Sequence, residues 1–262
     1  GRAAEILIGK DALGENPKLN NMAKGFRAAR FGHVVFVDSN VLMPPDYLDQ
    51  LAVGLEAGAG MVSAPPIGSA PRGVWAEIEC AFLNTYQARI QYCADMLGFG
   101  FAQGKTLFFR REDLENGGLA RLADEPAEDA AATKMMRAKG RHIRLAGPFL
   151  QPIGPRTLRQ MWSRQLRWAR LERSTFPVLY ASEIFAGPLW PAAALLLATS
   201  RLELGVAGPA LAFLALWYGA ELLLARAAGW KGAPLALILR DALLPAIFLA
   251  GYAGRNFEWH GH

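Results

Sequence analysis

Asp38-Ser39-Asn40 closes an apolar run, His33-Val34-Val35-Phe36-Val37. Carboxylate and amide oxygens suit a hard divalent cation, and the end of a buried strand is where an α/β sheet meets its ligand. Glu128-Asp129 offers a second acidic pair, able to supply a general base. Arg164-Gln165-Leu166-Arg167-Trp168 joins guanidinium forks, which hold phosphate, to an aromatic face that can line an acceptor. Together the three point to transfer chemistry at a nucleoside diphosphate. Each also has a plain structural reading. Asp-Ser-Asn is ordinary in a strand-terminal turn. Acids at a helix N-terminus complement its dipole. Regularly spaced Arg159, Arg164, Arg167 and Arg170 beside Trp162 fit a helix lying on a membrane surface.

The order D-S-N, G-x-T, E-D, R-Q-L-R-W resembles the family-2-type glycosyltransferases, most closely the ceramide glucosyltransferases. Asn16-Pro17-Lys18-Leu19-Asn20-Asn21, the segment 100–111 and Gly117-Gly118 carry further pieces of the resemblance. It implies an α/β fold with a GT-A (Rossmann-like) domain, and Mg²⁺ or Mn²⁺ held by Asp38 and Asn40. Asp129 is then the base that deprotonates the acceptor hydroxyl in a single inverting displacement. Arg167 offsets charge on the leaving diphosphate, and Trp168 walls the acceptor site. Asp38, Lys18, Arg164 and Gln165 lie about the donor nucleotide. Two departures stand out. Asn40 replaces the second Asp of many relatives, giving a ligand oxygen with less charge, and Ala130 follows the acidic pair where an aromatic residue is common. Lys18, Asn20 and Asn21 either approach the nucleotide or form an Asn-capped helix start. Gly104-Lys105-Thr106 either lines the donor pocket or turns into a strand. The expected donor is UDP-glucose and the expected acceptor a membrane lipid hydroxyl such as that of ceramide. Alternatives are a hopanoid or diacylglycerol acceptor, another sugar, a processive polysaccharide synthase or, in another class, an inactive membrane-protein remnant.

These residues need elements to position them. Residues 5–9 have a strand-like pattern, 19–30 helical spacing, and His33–Val37 the continuous apolar character of a buried parallel strand, so the opening is expected to be β-α-β. A helix is expected over 44–57, a strand over 61–64 ending at Pro65-Pro66, and a long helix over 74–96. Thr106–Arg110 is a strand, 111–116 a turn, 128–140 a helix, 143–146 a strand, and 157–172 a basic amphipathic helix.

The remainder is apolar. Segments 184–198, 206–225 and 235–253 have the length and composition of membrane helices, the last interrupted by Arg240-Asp241. Two spans are expected, and a third that begins at the interface. With the catalytic face in the cytoplasm, Arg226, Lys231 and Arg240 fall in an inner loop and Arg201 in an outer one, as the positive-inside rule requires. The protein is then a multi-pass membrane protein, in the inner membrane if bacterial. The net charge of +5 suits phosphate or anionic lipid. Nucleic acid is disfavoured, since no zinc-finger spacing and no aromatic–basic alternation occurs. Cys80 and Cys93 lack partners at metal spacing and are expected to be free thiols. The expected organisation is a partial catalytic domain over 1–154, an interfacial helix over 155–180 and an anchor over 181–262. The chain opens at Gly1 without a Met. It is therefore expected to lack the first β-α units and their nucleobase-recognising Asp, and to be inactive alone. Asp11, in a loop, does not match such a site.

Overall fold

The computed structural model describes residues 5–9, 13–14, 16–201 and 208–254. Asp11, His260 and His262 lie outside the described residues, as does the side chain of Arg201. In chain order the elements are α1 (Pro17–Ala28), β1 (His33–Val37), α2 (Tyr47–Glu56), β2 (Met61–Ser63), β3 (Pro66–Arg72) and α3 (Val74–Ala81). A π-helical segment (Phe82–Gln87), α4 (Ala88–Met96), β4 (Thr106–Arg110), the short α5 (Arg111–Leu114) and α6 (Gly118–Arg121), α7 (Glu128–Ala138) and β5 (Ile143–Leu145) follow. The chain continues through β6 (Phe149–Pro155), α8 (Leu158–Thr175), α9 (Pro177–Ser182), a 3₁₀ turn (Glu183–Phe185), α10 (Leu189–Arg201), α11 (Gly208–Ala227) and α12 (Pro234–Tyr252). The chain forms two compact units. The first is Gly1–Pro66 with Ile90–Phe149, the second Ile67–Arg89 with Leu150–His262.

The first unit is built on a four-stranded sheet of order β1-β4-β2-β5. Successive residues of β4 serve opposite faces. Leu107 and Phe109 join Leu19 and Met22 of α1 and Met136 of α7 in one cluster. Phe108 joins Leu51 and Leu55 of α2, Val62 and Phe149 in another. Each fully buried Leu, Met or Phe contributes about 1.5–3 kcal/mol. The sheet corrects the expected pairing. β1 runs antiparallel to β4, β4 antiparallel to β2, and only β2–β5 is parallel. A continuous apolar run reports that both faces of a strand are covered, which parallel sheets require but do not monopolise. The opening strand is also absent: residues 5–8 adopt no regular structure, and Ile6 and Ile8 are exposed. Without a ladder partner their backbone has no reason to be extended.

The second unit contains the two-stranded β3–β6 sheet, α3 with the π-helical segment, α8 and the apolar helices. Among the described residues, three helical stretches are long and apolar enough to cross a membrane: Pro177–Ser200, Gly208–Ala227 and Pro234–Tyr252. Arg240 does not lie in a loop, nor does it break the third stretch. It is fully buried inside α12 and donates to the two Glu221 oxygens of α11 from its two terminal guanidinium nitrogens, at 2.9 and 3.1 Å. It also bonds Asp241 at 2.9 Å and the Thr85 hydroxyl at 2.7 Å, while Arg89 reaches Glu221 at 2.9 Å. Two arginines against two acids leave no net charge, which is how an ionic group is tolerated inside an apolar helix.

Candidate active site

The sequence Asn16-Pro17-Lys18 places one cation with care. Asn16 caps α1, its Oδ1 accepting from the Lys18 and Leu19 amides at 2.9 and 3.3 Å, and Pro17 takes the first turn. Lys18 then projects from the first turn of α1. Its Nζ lies 2.9 Å from Asp38 Oδ1 and 2.6 Å from Glu128 Oε1, and donates to the Gly104 carbonyl at 2.5 Å. Asn16 Nδ2 donates to the other Glu128 oxygen at 3.4 Å. The neighbouring Asn20 serves structure: its Oδ1 accepts from the Leu13 and Gly14 amides at 2.9 and 3.1 Å.

The ladder supplies the second cation. β1 and β4 pair so that Val37 faces Thr106, and the next step sets Asp38 beside Lys105. The Asp38 amide donates to the Lys105 carbonyl at 3.1 Å. Lys105 Nζ lies 2.6 Å from Asp38 Oδ2 and donates to Asn40 Oδ1 at 3.1 Å. Gly104-Lys105 is thus both a turn before a strand and a wall of the cluster. Thr106 is not part of that wall, because its hydroxyl is buried 3.0 Å from the Tyr47 hydroxyl.

Each residue of the loop before β4 is tied down. The Ala102 amide donates to Thr133 Oγ1 and the Gln103 amide to Ser63 Oγ, both at 3.0 Å. The Gly104 amide donates to Asp129 Oδ2 at 2.7 Å. A Cβ on Gly104 would sit 2.7 Å from Glu128 Oε1 and 3.0 Å from Lys18 Nζ, so any larger residue would push these two side-chain ends aside. Asp129 stands in the first turn of α7, its other oxygen accepting from the Ala130 amide at 2.8 Å. The structure therefore gathers Lys18, Asp38, Asn40 and Asp129, and adds Glu128, Gly104 and Lys105 as their partners. Spacing alone does not reveal these partners, since they meet through strand register and a helix start.

The electrostatics separate the acids. Burial, with the Glu128 carboxylate next to it, pushes Asp129 up to about 6, against the opposing pull of Lys18 and two amides. Burial would also raise Asp38, but Lys18 and Lys105 outweigh it and hold that carboxyl below its usual range. Lys18 is drawn down by burial, yet Glu128 and Asp38 prevail and raise it. One acid is thus kept as a permanent anion and another is poised near neutrality, the pattern that assigns electrostatic and acid–base roles.

Asp38 and Asn40 fit the divalent cation that the resemblance implies. They offer two hard oxygens, and Mg²⁺ is commonly held by one or two such protein ligands with substrate phosphates completing its shell. An ammonium group already lies against both oxygens, which shows that this pair attracts a cation. Among the described residues no group of three or more His, Cys, Asp or Glu could hold a metal by itself.

The pentapeptide lies on α8, in the second unit. Arg164 is not at a lipid-facing surface: it bonds the fully buried Glu79 at 2.5 Å and stacks 4.6 Å over the Trp168 ring, one turn away. Arg156 shares Glu79 at 3.1 Å. Trp168 packs against Ala76, Cys80, Leu83 and Ile153. Gln165 is buried, within 3.5 Å of Gln87 Nε2. Burial pulls Arg167 down. Arg170 donates to the Ala253 carbonyl beyond the end of α12 at an exposed contact, and Arg159 is exposed. Paired or capping arginines satisfy buried acids and orphan carbonyls. Cys80 is buried, Cys93 exposed, and both are free.

These features define a class: a mixed α/β domain whose acids and lysines gather at strand ends, joined to long apolar helices. The chain belongs to glycosyl transferase family 21, whose family model matches residues 1–262. It is similar to Ceramide glucosyltransferase 1 of Caenorhabditis elegans, 29% identical over 184 residues that cover 69% of this chain and 40% of that protein. It is also similar to Ceramide glucosyltransferase 3 of the same organism, 24% identical over 178 residues covering 66% of this chain and 39% of that protein. The chain thus spans about two fifths of the length of these curated relatives.

Proposed function

We propose that this chain carries catalytic machinery of a membrane-bound inverting glycosyltransferase, moving glucose from UDP-glucose to a lipid hydroxyl such as that of ceramide. The observation that carries this reading is Asp129. It is a carboxyl poised at about 6, fixed by the Gly104 amide, in the same cluster as an Asp38 kept ionised by two lysines. The names of the similar proteins support the sugar and the lipid.

In this reading the acceptor oxygen attacks the anomeric carbon as Asp129 takes its proton, and the bond from that carbon to the diphosphate oxygen breaks with its electron pair leaving on UDP. One displacement inverts the configuration. A base near neutrality contributes most when its pKa lies close to the working pH. Asp38 and Asn40 would hold a divalent cation, which would supply positive charge toward the diphosphate. Lys18 holds Asp38 and Glu128 in place around that charge. For Arg167 and Trp168 the resemblance supports neutralising the leaving group and lining the acceptor, with Arg164 and Gln165 toward the donor. The three apolar helices support membrane residence.

Asp129→Asn tests the reading in the whole protein, reconstituted with UDP-glucose and ceramide. Turnover is expected to fall ~10²–10⁴-fold, as for loss of a general base, with UDP-glucose binding nearly unchanged. Turnover within a few-fold of the parent would remove Asp129 from the role.

A further inference from the structure

Trp168 is oriented by a residue outside its own motif. The indole is partly exposed, and it packs against Ala76 and Cys80 of α3, Leu83 of the π-helical segment and Ile153 of β6. Glu79 stands among these residues, after Ala76 and before Cys80 and Leu83, and is fully buried. Both of its oxygens are taken. Arg156, just ahead of α8, donates from Nε to Oε2 at 3.1 Å, and Arg164 donates from Nη1 to Oε1 at 2.5 Å. The Arg164 guanidinium lies in turn 4.6 Å over the Trp168 ring. Burial pulls Arg164 down, and Glu79 opposes that pull against the like charges of Arg156 and Arg167. A buried ion pair seldom stabilises a fold more than apolar residues of the same volume. What this one supplies is direction. Apolar packing is non-directional and keeps an indole in place without fixing its tilt. A charge-assisted hydrogen bond fixes the plane of the guanidinium, and the stacked guanidinium fixes the plane of the ring.

We propose that Glu79 is a positioning residue of the acceptor site: it fixes the Arg164 guanidinium, and through it the Trp168 indole against which the lipid acceptor rests. This rests on the reading of Trp168 as the wall of that site. Glu79 itself touches no substrate. Its contribution depends on where its carboxylate stands, not only on the charge it carries. Arg156 has the complementary part, since it balances the charge of Glu79 through the other oxygen.

The test separates position from charge in the whole protein, reconstituted with ceramide varied at saturating UDP-glucose. Glu79→Asp keeps the charge and draws the carboxylate back by one methylene, away from Arg164. Arg156→Gln changes the charge and leaves the Glu79–Arg164 bond in place. Misplacing a group that orients substrate costs on the order of 10- to 100-fold. Glu79→Asp is therefore expected to lower kcat/KM for ceramide by that factor, and Arg156→Gln to leave it within a few-fold of the parent. Equal losses in the two variants, or a Glu79→Asp variant within a few-fold of the parent, overturn the proposal. Trp168→Ala separates the two layers. If it lowers ceramide use while Glu79→Asp does not, the reading of Trp168 stands and the role of Glu79 falls. If it leaves ceramide use unchanged, both fall. Should Glu79→Asp not fold, Glu79→Gln combined with Arg156→Gln takes its place, because the pair keeps the parent's net charge and removes the carboxylate from Arg164. The same loss is expected of it. Recovery to the parent's value, or failure of this variant to fold as well, makes Glu79 a structural acid and overturns the proposal.

Discussion

Asp129 makes the site work against the fold, and that conflict can be measured. Its carboxyl is raised from 3.8 to about 6, chiefly by burial and then by Glu128. The folded protein therefore favours the neutral acid. The stability this gives is complete below the unfolded value near 4, is lost as pH rises, and is gone above about 6. The difference amounts to about 3 kcal/mol at neutral pH as an upper bound. Asp129→Asn is a permanent neutral isostere, so it should recover part of that. It sacrifices the preference of the Gly104 and Ala130 amides for an anion, which leaves a net gain of about 1–2 kcal/mol. For a chain of this size that is a rise in Tm of about 2–8 °C. Thermal unfolding of the whole protein in detergent at pH 7.5 should show the Asn variant as the more stable one, with the gap closing between pH 6 and 4. Turnover of the parent should climb over the same interval in which its stability declines, because the role proposed for Asp129 needs the ionised form. An Asn variant less stable than its parent at pH 7.5, or a gap that does not shrink on acidification, would refute the reasoning.

Two further outcomes test the second unit. Arg240→Met leaves Glu221 and Asp241 buried without their shared partner, and should destabilise the detergent-solubilised protein by about 3–5 kcal/mol, read as a loss of monodisperse protein on gel filtration. Membranes washed with high salt and then with carbonate should retain the protein, since salt screens exposed charges such as Arg159 but not burial of apolar helices; release by salt alone would exclude the spans.

Periodicity located most of the elements, because apolar burial leaves a direct trace in sequence. His33–Val37 and Thr106–Arg110 appear as strands with the expected bounds. Strand direction left no such trace: β1 is apolar throughout because α/β layers cover both faces, whichever way its neighbour runs. β3 and β6 were hidden for a different reason. Pro66, Pro71, Pro152 and Pro155, with Gly68 and Gly154, read as breakers, yet a two-stranded sheet leaves one edge of each strand free of ladder bonds. The π-helical segment inside 74–96 contains no proline or glycine that would mark it. At the site, the acids were legible as motifs, whereas Lys105 opposite Asp38 follows from register and Glu128 beneath Lys18 from tertiary packing. Arg240-Asp241 looked like an interruption, because the partner that neutralises them stands on another helix.

The ion pair between α11 and α12 bears on how the chain is made. Glu221 lies 19 residues ahead of Arg240, so α11 emerges from the ribosome carrying an acid whose fully buried partner has not been synthesised. A charged side chain at the centre of a lone helix costs on the order of 2.5–3.5 kcal/mol to insert. Joined by the short link 228–233, the two helices can enter as a hairpin with the charges already matched. Arg89, synthesised long before either helix, is then in place to receive Glu221 as the hairpin docks. If both stretches cross a membrane, the buried charges favour an order of biogenesis in which neither helix is inserted alone.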